Sequence, residues 1–473
     1  MAAIVTNKFR LNNAEQFYES FSEASTSFYL FVGRPQPWTS TTPFGGGSDS
    51  APPTPLDNVN DEYMYFRDMQ AAKRIAAADI QYAIPRHNWT TGTVYDYYRG
   101  DYGAQWSSTA TDIVKTVNGG INLWASTTLF YVLSSQNNVY ECMWNNGGAA
   151  STVEPSHTGT AEITEADGYT WKYMYSLTTT QITDFLTADF MPVATNATVS
   201  AWAALNDDGA VRHYKVMRGG AGYTDGSYAT QTLRGDGSSA TFTVTVSGGA
   251  VTSVVMVAAG SDYTFADCRI DAISGIGTPS TSAIVTPIIG PKGGHGFNAV
   301  TELGGFYIMT NTTISGTEGG GDFVVDQDFR RVGIVLNPYN YGTTTVATAS
   351  TLNALKSMTF AASPTPGTFA ADQAITGGTS GAKGIVVSWD STTRILKYIQ
   401  TQWTGVNTAG DETAFQTSEV VTGTGGSSPT GTIASLTNPE IAYYSGNTIY
   451  VEDRAPISRA TDQTENIKLI VEF

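Results

Sequence analysis

Glycine interrupts this chain 49 times in 473 residues, and the stretches between are short runs rich in Thr, Val, Tyr and Phe. Runs of that kind suit strands closed by turns. β-Branched and aromatic side chains fit a pleated surface, and Gly, Asn and Asp fit tight reversals. Helical proteins fill their exposed faces with Glu, Lys, Leu and Ala, yet charged residues make up only 14% here, against roughly 25% in an average soluble domain. The expected class is mainly β. A hydrophobic fraction of 41% supplies a substantial core, and the length implies a main domain with additions, or two to four modules.

The formal charge of −17 argues against a nucleic-acid partner, because phosphate recognition needs clustered Lys and Arg and the chain holds no basic run. Cys142 and Cys268 do not form a CxxC pair and suit a protein made in a reducing cytoplasm. The first residues, MAAIVTNKFR, lack the apolar core of a signal peptide, and no apolar run approaches the ~18 residues that cross a bilayer. No membrane partner is expected.

Local patterning predicts a strand over Ala2–Thr6, a helix over about Asn13–Phe21 and a strand over Ser27–Val32. A long loop follows from Gly33 to Pro55, with Trp38 and Phe44 as anchors. The segment Asn60–Ala78 reads as the best helix, with early acids and the later Lys73 and Arg74 matching the helix dipole. A hairpin is expected from Leu129–Leu133 and Val139–Trp144, a strand over Tyr169–Leu177 after the Asp167-Gly168 turn, and a short helix over Thr180–Leu186. At the C-terminal end, Ile467, Leu469, Val471 and Phe473 share one face of a final strand.

Two regions are poorer in charge and richer in Gly and Thr. In the first, about 210–288, VMRGGAGYT from Val216 resembles VMVAAGSDYT from Val255. In the second, about 361–437, AITGGTSGAKGIVV near Ile375 echoes VVTGTGGSSPTGTIA near Val421. Such internal echoes suggest compact β-modules inserted into a host domain.

No catalytic constellation emerges. The chain lacks a GxxxxGK[ST] loop, a GxSxG elbow and an HExxH helix, and His87, His157, His213 and His295 are scattered without ligand spacing. Asp322, Asp326 and Asp328 form the densest acidic group, but no turn Gly or bidentate Glu accompanies them as in an EF-hand. No metal, cofactor or catalytic residue is assigned. Tyr and Trp are read as core or interface anchors ahead of a sugar groove.

Six segments, taken together and in order, resemble the dimer-forming baseplate wedge subunits of T4-like contractile-tail phages. They are AIVTNKFR from Ala3, FVGRPQPW ending at Trp38, YAIPRHNW from Tyr82, DGYTWKYMYSL from Asp167, DFRRVGIVLNP from Asp328, and the stretch from Tyr450 to Phe473. The resemblance covers roughly 1–205, 290–340 and 438–473, and leaves the Gly/Thr-rich regions as additions of a kind seen in tail proteins of related phages, those of cyanobacteria included. It implies a layered β-sandwich with helical excursions, divided as wedge core 1–209, inserted module 210–288, core 289–360, second module 361–437 and C-terminal strands 438–473. It also implies a homodimer that contacts neighbouring wedge proteins in the virion baseplate and takes part in the rearrangement that triggers sheath contraction. Arg34, Trp38, Arg86, Trp89, Arg454, Asp462 and Gln463 are the candidate packing or interface anchors. The competing readings are a trimeric tail adhesin and, behind it, a tailspike-like depolymerase.

Overall fold

The computed structural model describes residues 5–39, 46–99, 105–108, 113–116, 123–314, 323, 327–400, 412–425, 428–459 and 463–473, with backbone alone for 105–108 and 113–116. The protein is mainly β, as its composition predicts, with antiparallel sheets, a closed barrel and a few short helices. Among the described residues no helix is long and apolar enough to cross a membrane. The chain divides into two compact units.

One unit comprises Gln16–Ile80 and Thr310–Leu469. Its main sheet has five strands in the order Thr351–Asn353, Met69–Arg74, Phe28–Gly33, Gln327–Leu336 and Asn447–Arg459, all antiparallel. The central strand Phe28–Gly33 is buried at every position. Phe28, Leu30 and Val32 face a cluster with Ile80, Ile314, Ile467 and Leu469, while Tyr29 and Phe31 face Tyr65, Phe66 and Ile441. Because both faces are covered, the strand reads as an unbroken apolar run instead of an alternation. Phe21 continues the first cluster by stacking on Phe28 at 3.9 Å. The last strand, Glu465–Glu472, buries Ile467 and Leu469 as its alternation predicts.

The expected helix over Asn60–Ala78 is correct only in its first half. The helix runs Val59–Arg67, capped by the Asn58 side chain on the Asn60 and Asp61 amides, and Met69–Arg74 is a strand. Helical propensity in MQAAKR is a weak preference of tenths of a kcal/mol per residue. Here it yields to pairing on both edges, with Phe28–Gly33 and Thr351–Asn353.

The same unit carries a closed barrel of six strands, ordered Lys356–Phe360, Ile395–Ile399, Lys383–Asp390, Ala374–Gly377, Val420–Gly423 and Thr430–Thr437. The internal echo in the sequence is two equivalent hairpins. Strands Ala374–Gly377 and Val420–Gly423 pair with each other, Ile375 opposite Gly423 and Gly377 opposite Val421. Ile375 and Val421 are fully buried at matching positions. Closure removes free strand edges, which would otherwise template association.

The other unit comprises Met1–Glu15, Gln81–Met309 and Ile470–Phe473. The first helix spans Asn7–Ser20, starting earlier than its apolar spacing predicts, and the expected Ala2–Thr6 strand is absent at Val5 and Thr6, its other residues lying outside those described. A four-stranded sheet, ordered Tyr131–Leu133, Asn138–Asn145, Tyr169–Ser176 and Ile163–Thr164, contains the predicted hairpin. Trp171, Tyr169 and Tyr140 are its largest buried side chains. Residues 211–285 hold a hydrophobic cluster of their own. Within it, both members of the VM…YT echo leave a strand through left-handed glycines (Gly220 and Gly222; Gly260) and end on a buried tyrosine, Tyr223 or Tyr263. Phe190–Pro192 pairs antiparallel with the end of a strand at Ala83–Pro85.

Candidate functional site

Three of the quoted segments meet at one place in the five-stranded sheet. The register sets Gly33 opposite Arg331 and Arg331 opposite Asp453. It thus aligns FVGRPQPW, DFRRVGIVLNP and the last long stretch side by side. Arg331 is buried between two carboxylates. Its Nε donates to Asp453 Oδ1 at 2.7 Å, and its Nη1 donates to Asp68 Oδ2 at 3.0 Å and Oδ1 at 3.2 Å. Arg34 approaches Asp68 at 3.9 Å.

Aromatic faces complete the packing. The Arg34 guanidinium lies 4.7 Å from the Trp38 ring, and that of Arg331 lies 4.5 Å from Tyr65 and 5.4 Å from Trp38. Arg330 forks onto Asp49 through Nε at 2.9 Å and Nη2 at 3.0 Å, and reaches Asp328 Oδ2 at 2.9 Å. Planar guanidinium geometry makes such bidentate and stacked contacts possible, and lysine could not replace it. Burial pushes the Asp68 carboxyl up, and the Arg331 and Arg34 guanidiniums pull against that rise.

Arg34, Trp38 and Arg454, predicted separately as anchors, are thus neighbours. Trp38 is 3% exposed, and its indole N–H donates to the Arg454 carbonyl at 3.0 Å. Its backbone amide donates to Asp49 Oδ1 at 2.8 Å. Arg34 has a left-handed backbone, φ 57°, and its backbone N–H donates a hydrogen bond to the Asp68 carbonyl at 2.9 Å. A Trp38→Phe variant keeps the packing but loses the indole bond, and is expected to lower unfolding free energy by about 1 kcal/mol in chemical denaturation.

The remaining candidates lie elsewhere. Arg86 is half-buried and donates to Asn88 Oδ1 at 2.9 Å and to the Thr187 carbonyl at 2.7 Å. Trp89 is also half-buried, with its N–H on Ser151 Oγ at 3.2 Å. Gln463 is exposed. Asp462 lies outside the described residues, as do Phe44, Asp322 and Asp326. Asp328 is engaged with Arg330 and Ser458.

A second constellation escaped the sequence reading. In the unit containing Gln81–Met309, His295 Nδ1 lies 2.7 Å from Glu302 Oε1 and 3.1 Å from Glu141 Oε2. All three residues are buried. Glu141 sits on the strand Asn138–Asn145, His295 on the loop before the helix Ala299–Glu302, and Glu302 at that helix's end. Burial lowers the His295 imidazole, but the two carboxylates outweigh it and hold it well above its ordinary value. Burial and the neighbouring Glu302 push Glu141 well up. Cys142 and Cys268 are buried free thiols.

Buried ion pairs thus tie neighbouring strands of this sheet together beside stacked aromatic side chains. Residues 3–143 match the family model described as Phage-Gp8: Bacteriophage T4, Gp8, which supports the resemblance to a baseplate wedge subunit. Among curated proteins the chain is similar to baseplate wedge protein gp8 of Enterobacteria phage T4, at 27% identity over 196 residues, 37% of this chain and 55% of that protein. The chain therefore spans about half the length of that curated relative.

Proposed function

We propose that this chain is a structural subunit of the baseplate wedge of a contractile phage tail, resident in the virion and made in the host cytoplasm. The observation that carries the reading is the family match over residues 3–143, which includes Arg34, Trp38, Asp49 and Asp68 of the buried arginine cluster. The role is mechanical and non-enzymatic. The subunit pairs with a second copy, holds neighbouring wedge proteins and moves with them in the rearrangement that triggers sheath contraction. Arg454, whose side chain is 29% exposed, and half-buried Arg86 are the candidate anchors placed to reach outward, while Arg34 and Trp38 stiffen the sheet behind.

Light scattering across a size-exclusion peak tests this directly. The expected mass is near twice 50.3 kDa. A stable trimer would count against a wedge subunit and favour a glycan-binding adhesin. One observation already favours that second reading: an open cleft is lined by Tyr97, Trp144, His213 and Lys215, with Trp144 and His213 stacked at 5.7 Å. A glycan array separates the two, because a wedge subunit gives no specific signal on it.

A further inference from the structure

We infer that Glu141, His295 and Glu302 form a structural binding site for one divalent transition-metal ion, with Zn²⁺ as the representative probe. The inference stands on geometry and does not depend on the baseplate reading.

An imidazole nitrogen carries at most one hydrogen, yet two carboxylate oxygens converge on His295 Nδ1, at 2.7 and 3.1 Å. One of those contacts lacks a proton of its own. The other oxygen of Glu141, Oε1, is fully buried with no hydrogen-bond partner, in a residue 0% exposed. An unpartnered buried carboxylate oxygen is costly, and proteins rarely retain one without a proton, water or cation to satisfy it.

A divalent ion held by a neutral imidazole and two carboxylates is balanced in charge. Lys172, the cross-strand neighbour of Glu141, is turned away from the cluster, its ammonium donating to the Thr160 carbonyl and lying 3.9 Å from the Trp202 ring.

The ligand atoms already lie within 4.8 Å of one another. Bond lengths of about 2.0–2.2 Å to nitrogen and oxygen set tetrahedral ligands about 3.3 Å apart, so the two contacts at His295 Nδ1 lengthen by about 0.6 and 0.2 Å when an ion enters. Outer partners hold the ligands in place, as metal sites require. The Gly296 amide donates to Glu302 Oε2 at 2.7 Å, and the His295 amide donates to Asp207 Oδ2 at 3.0 Å. One nitrogen and two oxygens from protein leave the fourth position to water, and that donor set suits borderline divalent ions.

The test uses the full chain, expressed with Zn²⁺ supplied, gel-filtered and assayed for metal by mass spectrometry. Its melting temperature is followed with added Zn²⁺ and with a chelator. The expected result is one retained equivalent, a melting temperature lowered by chelator and restored by Zn²⁺, and at least a tenfold loss of retained metal in Glu141→Gln and Glu302→Gln. If those variants fail to fold, the chelator and Zn²⁺ response of the unaltered chain decides. Wild-type protein that retains no metal and melts indifferently to both additions overturns the site, leaving a shared proton to hold the cluster. Equal retention by Glu141→Gln overturns it as well.

Discussion

Replacing Arg331 with methionine is expected to destabilise the protein by about 3–5 kcal/mol, because the substitution strands two buried carboxylates. The Asp68 and Asp453 side chains are only 2% and 3% exposed, and both lose their closest cation. Methionine restores much of the volume, so the loss reports charge more than cavity. Its pH dependence has a definite sign. Burial pushes both carboxyls up, and the Arg331 guanidinium is the strongest charge opposing that rise. Without Arg331 their folded values rise further above the unfolded value of about 3.9. A group raised on folding contributes stability below its unfolded pKa and loses it as pH rises through the folded one. The Arg331→Met defect is therefore largest at neutral pH and shrinks on acidification. Denaturation midpoints at two pH values measure it, and a defect that grows toward acid would refute the account. Converting Asp68 and Asp453 to leucine in the same background is expected to recover most of the stability, since a buried ion-pair group and a well-packed apolar replacement are often comparable.

Trp171→Ala is expected to cost about 3–5 kcal/mol, the range for deleting a fully buried large aromatic. Trp171 is 0% exposed, stacked on Tyr169 at 5.7 Å and edge-on to Tyr95 at 5.5 Å. Its indole N–H is buried without a partner, so Trp171→Phe removes an unsatisfied donor along with some contact area. That variant is expected to fall within about 1.5 kcal/mol of wild type. Trp89→Ala, by contrast, is expected to cost roughly 2 kcal/mol, because Trp89 is only half-buried and less apolar surface is lost. Finding Trp89→Ala more damaging than Trp171→Ala would mean that the sheet around Trp171 tolerates a cavity.

The three predicted anchors that meet illustrate what a single sequence can carry. Proline beside arginine, as in Gly33-Arg34-Pro35 and Pro85-Arg86, signals a rigid turn, and the Arg34 guanidinium lies 4.7 Å from the Trp38 ring. Their partners were not visible. Asp68 lies 263 positions from Arg331, and Arg331 lies 122 from Asp453. Only the antiparallel register of Met69–Arg74, Phe28–Gly33, Gln327–Leu336 and Asn447–Arg459 brings them together. Asp68 was also hidden inside a segment whose local composition reads as helix. The Glu141–His295–Glu302 cluster had a fainter signal still. His295 and Glu302 are seven residues apart across a loop and a short helix, which is no recognised ligand spacing, and Glu141 sits on a distant strand.

Composition and short-range pattern by themselves determined the mainly β class, the central buried strand, the Asn138–Asn145 hairpin, the paired elements of the barrel and the alternation of the last strand. Each rests on local physics, namely the period of side chains along a strand and the backbone freedom of turn residues. Tertiary structure alone decided that MQAAKR would be a strand and which acid would meet which arginine. It also decided that a histidine would be buried between two glutamates. Those outcomes depend on strand pairing and on the desolvation of charges by residues far away in the chain, and neither leaves a periodic trace in the sequence.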